Sequence, residues 1–555
     1  MPTDSTSTTA TDRWWVVGAA ASGIVATLYL YRDFFFTGFA RLQGEPADGV
    51  LTLAISRHWP LLGTSGRSWN DLGTFYPTPN TLGYSDTFFL NGLLEFPLKL
   101  IGVNSIMWLQ ITLIVFTLVG YGCAVALLRV GPRMPWFLAI TISVVALFGN
   151  GIYIASKHPQ LVAFQLLPVV ALLALIAYRG KSRWTQWLVG IAAGLLLGLA
   201  TYSAFYVGFF ALMTVGIVLP VLAVLILIGP NGKRGLLPYL RVAPGLIVGF
   251  VLSMGLFIYT YGPIIALGLA RPVSVLEEQA FGIKGLFNVG AGNVLWGPLF
   301  GVDTIHDGYG EAPMAPTPLL LVLSFVLLVW GLWRLRQLST WGYLGIACLI
   351  AGFVLWVSPI KYGSFFPWAD TVYKLPGGSA LRAIGRVDVM ASMVLALGIA
   401  LLFAVWWQRR PRITVPIAVL TSVMLVLLVA EQINTTTEQR VEVSMLQQLQ
   451  ALPTPPAECR SFLLTSTLEP PQGRSGFLAA TTQAVFVSQE VRLPTWNGYP
   501  GFPAGWNMRY VGRPEYKQNA EEWGKRYGLL DSACGLDLAG RSWLSPAEFS
   551  AYLSQ

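Results

Sequence analysis

Carboxylates, arginines and aromatic rings are concentrated in a few segments of this 555-residue chain. Residues 32–105 carry acids that include Glu45, Asp48, Asp71, Asp86 and Glu95. An ionised carboxylate can take a proton from a hydroxyl as the oxygen attacks. Residues 358–388 carry Lys361, Lys374, Arg382 and Arg386. A guanidinium fork binds two oxygens of a phosphate or carboxylate at once. Arg382 and Arg386 are four residues apart, so a helix there would place both on one face. Lys157 and His158 form a third group. Trp59, Trp69 and Trp496 could stack on a sugar ring, although most Trp and Tyr residues near apolar runs are interface anchors. Each reading has a plainer rival. Asp48 could be a solvated acid or a helix cap, and Ser85-Asp86 could cap the apolar run that follows. Arg382 and Arg386 could meet lipid headgroups or acids such as Asp370. His158 could be structural. Glu277/Glu278 and Asp303/Asp307/Glu311 form acidic clusters that a divalent cation could use, with solvated charge as the alternative.

The elements that must position these residues are mostly apolar. Hydrophobic residues make up 54% of the chain and charged ones 11%, against about 25% charged in soluble proteins. Apolar runs long enough to cross the hydrocarbon core as helices recur from Trp14 to Val429. They lack the period-two alternation of a membrane barrel. Eleven spans are expected, near 14–31, 106–128, 135–155, 160–178, 185–202, 205–228, 243–268, 317–333, 341–357, 389–407 and 413–432. The fifth and sixth are separated only by a break near Tyr202-Ser203. Residues 1–13 read as a polar, disordered cytoplasmic tail.

Short loops alternate with long ones. The short loops hold Arg129/Arg133, Arg179/Lys181/Arg183, Lys233/Arg234/Arg241, Arg334/Arg336 and Arg409/Arg410/Arg412, with no acid among them. The positive-inside rule makes them cytoplasmic, with the N-terminus inside and the C-terminus outside. The net charge of +9 is thereby explained by topology, and nucleic acid is not an expected partner. The long segments 32–105, 269–316, 358–388 and 433–555 then fall outside. Positive charge there runs against topology, so Lys361, Arg382 and Arg386 need a reason. Val50 to Leu62 and Phe88 to Ile101 have apolar faces at helical spacing and suit helices lying at the membrane interface.

Residues 433–555 read as a small α/β domain. Arg460 to Leu464 and Ala484 to Val487 look like strands. Glu515 to Tyr527 looks like a helix. Ser545 and Pro546 open another as N-cap and first residue. Cys459 and Cys534 share this segment, and an oxidising compartment would favour a disulfide between them. No nucleophile elbow, phosphate loop or zinc spacing appears, so this domain is expected to cover or recognise.

The phrases FYPTPNTLGYSD (75–86), LPGGSALRAIGR (375–386) and WNGYPGFP (496–503), with this layout of spans and loops, resemble the GT-C superfamily of membrane glycosyltransferases. The resemblance is to bacterial members placed beside the YfhO type. It implies an all-α polytopic membrane protein of about eleven transmembrane helices, with a small extracytoplasmic α/β domain, integral to the cytoplasmic (inner) membrane. It implies transfer of a sugar from a polyprenyl-phosphate-linked donor to a glycan, lipid or protein acceptor on the outer side. Asp48 would be the general base, or would orient the acceptor, with Glu45 near it. Arg382, Arg386, Lys361 and His158 would hold the donor phosphate. Asp86, Trp59 and Trp496 are secondary candidates. The resemblance fixes no cofactor, and a divalent cation is an option. Two other readings stay open: a transporter or lipid flippase, and a non-catalytic envelope-polysaccharide assembly protein that keeps the fold.

Overall fold

In a computed structural model the described residues run from 10 to 554, apart from 64–67, 230–236, 269, 302–313, 410–413, 437–439, 469–472, 500, 502 and 509. Asp303, Asp307 and Glu311 lie outside them. Among the described residues apolar helices lie along the eleven stretches expected to span, one to each. They are α1 (Ala10–Leu30), α4 (Trp108–Val130), α5 (Trp136–Phe148), α6 (Leu167–Arg179), α7 (Arg183–Ser203), α8 (Phe205–Ile228), α9 (Leu237–Ile265), α10 (Pro318–Trp333), α11 (Thr340–Val357), α12 (Val387–Gln408) and α13 (Val415–Ala430). Nine are parts of stretches long and apolar enough to cross a membrane, while α10 and α13 are shorter. The first begins at Ala10, so residues 10–13, expected in a disordered tail, are helical.

Small residues set how closely these helices approach. Gly190, Gly194 and Gly198 of α7 face Gly245, Gly249 and Ser253 of α9, and a Cβ on Gly194 would come within 2.0 Å of the Leu246 carbonyl oxygen. In α11 and α12, Gly345, Gly352 and Gly398 receive Leu402, Leu395 and Leu349. With no hydrophobic drive between helices in lipid, such close contact supplies the association.

The long connections are tied to one another. Residues Arg41–Leu42 (β1) pair antiparallel with Val441–Glu442 (β2). The Arg271 N–H donates to the Ser379 carbonyl, and the Thr435 N–H to that of Gly292. Helix α2 (Pro46–His58) departs from expectation. It was to lie at the interface, yet Gly49 to His58 are all buried, because α14 (Gly473–Val491) of the C-terminal segment packs across it. Helix α3 (Phe89–Leu100) keeps Leu93 and Phe96 exposed, as an interfacial helix would.

In the C-terminal unit β3 (Ser461–Leu464) runs parallel to β4 (Ala533–Asp537), which pairs antiparallel with β5 (Ser542–Leu544). Helices α15 (Pro514–Tyr527) and α16 (Pro546–Ser554) form where the sequence places them. Ser545 and Glu548 cap α16 reciprocally: the Ser545 N–H donates to Glu548 Oε2 at 2.8 Å. Ala484 to Val487, read as a strand, lie instead in the middle of α14. Their side chains are buried throughout, so no polar residue marks the helical period. A disulfide joins Cys459 and Cys534, whose Cα atoms are 5.6 Å apart.

Candidate functional site

Asp48 stands in the first turn of α2, directly after the Pro46 start. An acid is favoured there by the unpaired N–H groups and dipole of the helix. Gly44, at φ +115, turns the chain into the helix, and a Cβ on it would come within 2.7 Å of the Gly49 Cα. The Glu45 N–H donates to the Lys157 carbonyl at 2.9 Å, and the Gln43 side chain donates to the Ser156 carbonyl at 3.2 Å. These bonds lay the start of α2 against the turn after the short helix Asn150–Ala155. The turn delivers His158, whose Nδ1 lies 2.7 Å from Asp48 Oδ2. Glu45 Oε1 is 3.9 Å from the same nitrogen. His158 is 3% exposed, Asp48 16% and Glu45 39%, so the cluster is walled behind and open in front.

Asp86 belongs to this neighbourhood in a role the sequence did not disclose. Its Oδ1 accepts the Phe205 N–H at 2.8 Å, so it caps α8. The helix that follows Asp86, α3, has no side-chain cap. Its carboxyl is pushed up to about 6, chiefly by enclosure in protein; the Phe205 N–H and Arg386 oppose the rise and the Asp48 charge adds to it. Asp48, Asp86 and Arg386 therefore share one electrostatic field.

Arg386 is 4% exposed, with its guanidinium 4.9 Å from the centre of the Tyr206 ring. Arg382 is not on a common helical face with it: residues 381–383 belong to no helix, and a single 3-10 turn spans Ile384–Arg386. The two still meet at Tyr206, whose hydroxyl accepts the backbone N–H groups of Arg382 at 2.8 Å and Ala383 at 3.0 Å. Arg271, which sequence reading passed over, joins them. Burial and the Arg382 charge press its proton affinity down, while the Tyr206 and Tyr499 phenols oppose this. Arg271 is a basic residue in one of the long connecting segments, the same signal that drew attention to Arg382.

Other candidates are placed elsewhere. Lys361 Nζ pairs with Glu277 Oε2 at 3.2 Å, which occupies it away from the phosphate role expected of it. Trp496 is 0% exposed and donates to Ser461 Oγ in the C-terminal core, so it has no face for a sugar. Trp59 donates to the Thr87 carbonyl at 2.6 Å. It lines an apolar cavity of about 340 Å³ with Trp69, Phe89, Phe96 and Tyr202, a wall suited to hydrocarbon more than to hydroxyls.

The donor set Glu45, Asp48 and His158 has one ligand atom from each residue within 4.8 Å of the others. Two carboxylates and an imidazole fit a divalent cation of the borderline or hard kind.

No family model and no curated protein matches the chain. Solved structures do. The apo oligosaccharyltransferase of Archaeoglobus fulgidus aligns with a TM-score of 0.48 at 13% identity, over 95% of this chain and 69% of that one. The same enzyme tethered to an acceptor peptide containing the NVT sequon gives 0.47 at 14%, over 94% and 68%. The archaeal oligosaccharyltransferase AglB of A. fulgidus, in complex with an inhibitory peptide and a dolichol-phosphate, gives 0.45 at 13%, over 95% and 70%.

Proposed function

We propose that this chain is a GT-C-type membrane glycosyltransferase. It moves a sugar from a polyprenyl-phosphate-linked donor to a glycan, lipid or protein acceptor, on the extracytoplasmic side of the inner membrane. The observation that carries the reading is the pairing of Asp48 with His158 at 2.7 Å, with Asp86 and Arg386 in the same field. Transfer needs a base where the acceptor attacks and positive charge where the phosphate departs. Asp48 takes the proton of the acceptor hydroxyl as its oxygen bonds to the anomeric carbon. His158 holds the carboxylate in position. The bond from the anomeric carbon to the phosphate oxygen breaks, and its electron pair leaves on the phosphate, facing Arg382 and Arg386. A divalent cation at Glu45, Asp48 and His158 would supply further charge beside that phosphate. Residues 433–555 shape the acceptor side.

The test is sugar transfer by the purified protein in lipid, with a panel of polyprenyl-phosphate donors, comparing wild type with Asp48→Asn. A base contributes about 10²–10⁴-fold, and a loss of that size in a folded variant supports the assignment. Equal transfer by both keeps the reaction and removes Asp48 from it. Absence of transfer across the panel overturns the reading and favours transport or assembly.

A further inference from the structure

Tyr206 has a hydroxyl with its acceptor side filled and its proton unplaced. Two backbone N–H groups, from Arg382 and Ala383, donate to it. Among the described residues no acceptor receives the Tyr206 O–H. A hydroxyl has one hydrogen and two lone pairs, so its hydrogen is available to a ligand. Three arginines come to it in different ways. Arg386 lies over the Tyr206 ring, the Arg382 backbone is bound to the hydroxyl, and Arg271 lies in the electrostatic field of both Tyr206 and Arg382.

Arg271 is held there by the backbone. Its N–H donates to the Ser379 carbonyl at 3.2 Å, its Nε–H donates to the Ala380 carbonyl at 3.1 Å, and its own carbonyl accepts the Tyr373 hydroxyl at 2.7 Å. The Nε contact occupies one edge of the guanidinium and leaves the Nη groups for something else. No carboxylate pairs with Arg271 among the described residues. The Tyr499 phenol, from the WNGYPGFP stretch of the C-terminal unit, is near enough to Arg271 to act on its charge.

We propose that Arg271 and the Tyr206 hydroxyl complete, with Arg382 and Arg386, a phosphate site for the lipid-linked donor, covered by Tyr499. This rests on the glycosyltransferase reading and adds to it the residue that the loop after α9 contributes. A phosphate could equally belong to a bilayer phospholipid, so the source has to be separated by experiment.

The probes are undecaprenyl phosphate and phosphatidylglycerol, each titrated against the full chain in detergent and followed by native mass spectrometry. Wild type, Arg271→Gln and Arg271→Lys are compared. Gln can keep the bond to Ala380 without the charge, and Lys keeps the charge without the fork. Unchanged melting of the variants serves as the folding control. Expected are a tenfold or greater loss of undecaprenyl phosphate binding in Arg271→Gln, a smaller loss in Arg271→Lys, and unchanged phosphatidylglycerol binding. Equal binding of undecaprenyl phosphate by all three overturns this assignment and leaves the proposed reaction standing. Parallel loss of both lipids overturns it in favour of a general headgroup site. Failure of wild type to bind undecaprenyl phosphate removes the assignment and the glycosyltransferase reading together.

Discussion

Glu95 points into the protein from the amphipathic helix α3, with 0% exposure and neither carboxylate oxygen hydrogen-bonded. Burial pushes its carboxyl up to about 8, with Ser56 and the Arg57 charge opposing. Arg57 does not neutralise it, because Arg57 pairs with Glu490 of α14. Glu95 is therefore protonated at neutral pH. Its folded value lies above the ordinary 4.5, so the contribution to stability is full below that value and is lost as pH rises through about 8. The expected result is a melting temperature that falls between pH 6 and pH 9 in wild type and falls less in Glu95→Gln. Identical pH profiles would show that water or Arg57 accommodates the charge. The sequence places Glu95 within the amphipathic run Phe88 to Ile101 but does not show that its side chain is turned inward. Asp86 was misread for a similar reason: its dipeptide has the pattern of a cap, and the helix it caps begins 119 positions later in the chain. Asp48, His158 and Arg386 were legible because acids and bases beside apolar spans stand out by type alone.

At the scale of elements, the eleven apolar helices follow from hydropathy, and even the break before α8 was visible. The seam between α7 and α9 was present in the sequence as small residues four apart, Gly190, Gly194 and Gly198 against Gly245, Gly249 and Ser253. It carries a prediction. In Gly194→Val the new side chain collides with the Leu246 carbonyl, which is backbone and cannot turn away. Overpacking of this kind costs about 1–3 kcal/mol, so detergent-solubilised Gly194→Val should melt several degrees lower. Gly216→Ala in α8, where a Cβ meets nothing within 4 Å, should melt like wild type. Equal melting of the two variants would mean that α7 and α9 separate freely. The strand expected at Ala484 to Val487 failed for a physical reason. Both faces of that run are buried, and a short apolar run buried on all sides carries no period.

The whole molecule differs most from a plan of membrane domain plus appended outer domain. Residues 70–84 and the C-terminal unit exchange backbone hydrogen bonds, Phe75 N–H to the Asn497 carbonyl and Thr495 N–H to that of Gly73. Trp523 donates to the Tyr76 carbonyl, and Gln489 to that of Leu72. One hydrophobic cluster runs from α2 through α14 into the sheet. Phe486, fully buried, lies under the Arg57 guanidinium. No local pattern announces such contacts, since they join residues about four hundred positions apart. The helix that presents Asp48 is thus held partly by the C-terminal unit. Removing residues 433–555 would strip α14 from α2 and leave buried Arg57 without Glu490 and Phe486. A buried charge that loses its partner costs about 3–5 kcal/mol, and loss of a buried Phe contact about as much again. A chain ending at Gln432 is therefore expected to aggregate after extraction, and the separate segment 433–555 to lack a cooperative melt. A monodisperse truncated protein that melts where the full chain does would show that the two parts fold independently. Asp48 would then owe its position to the membrane helices alone.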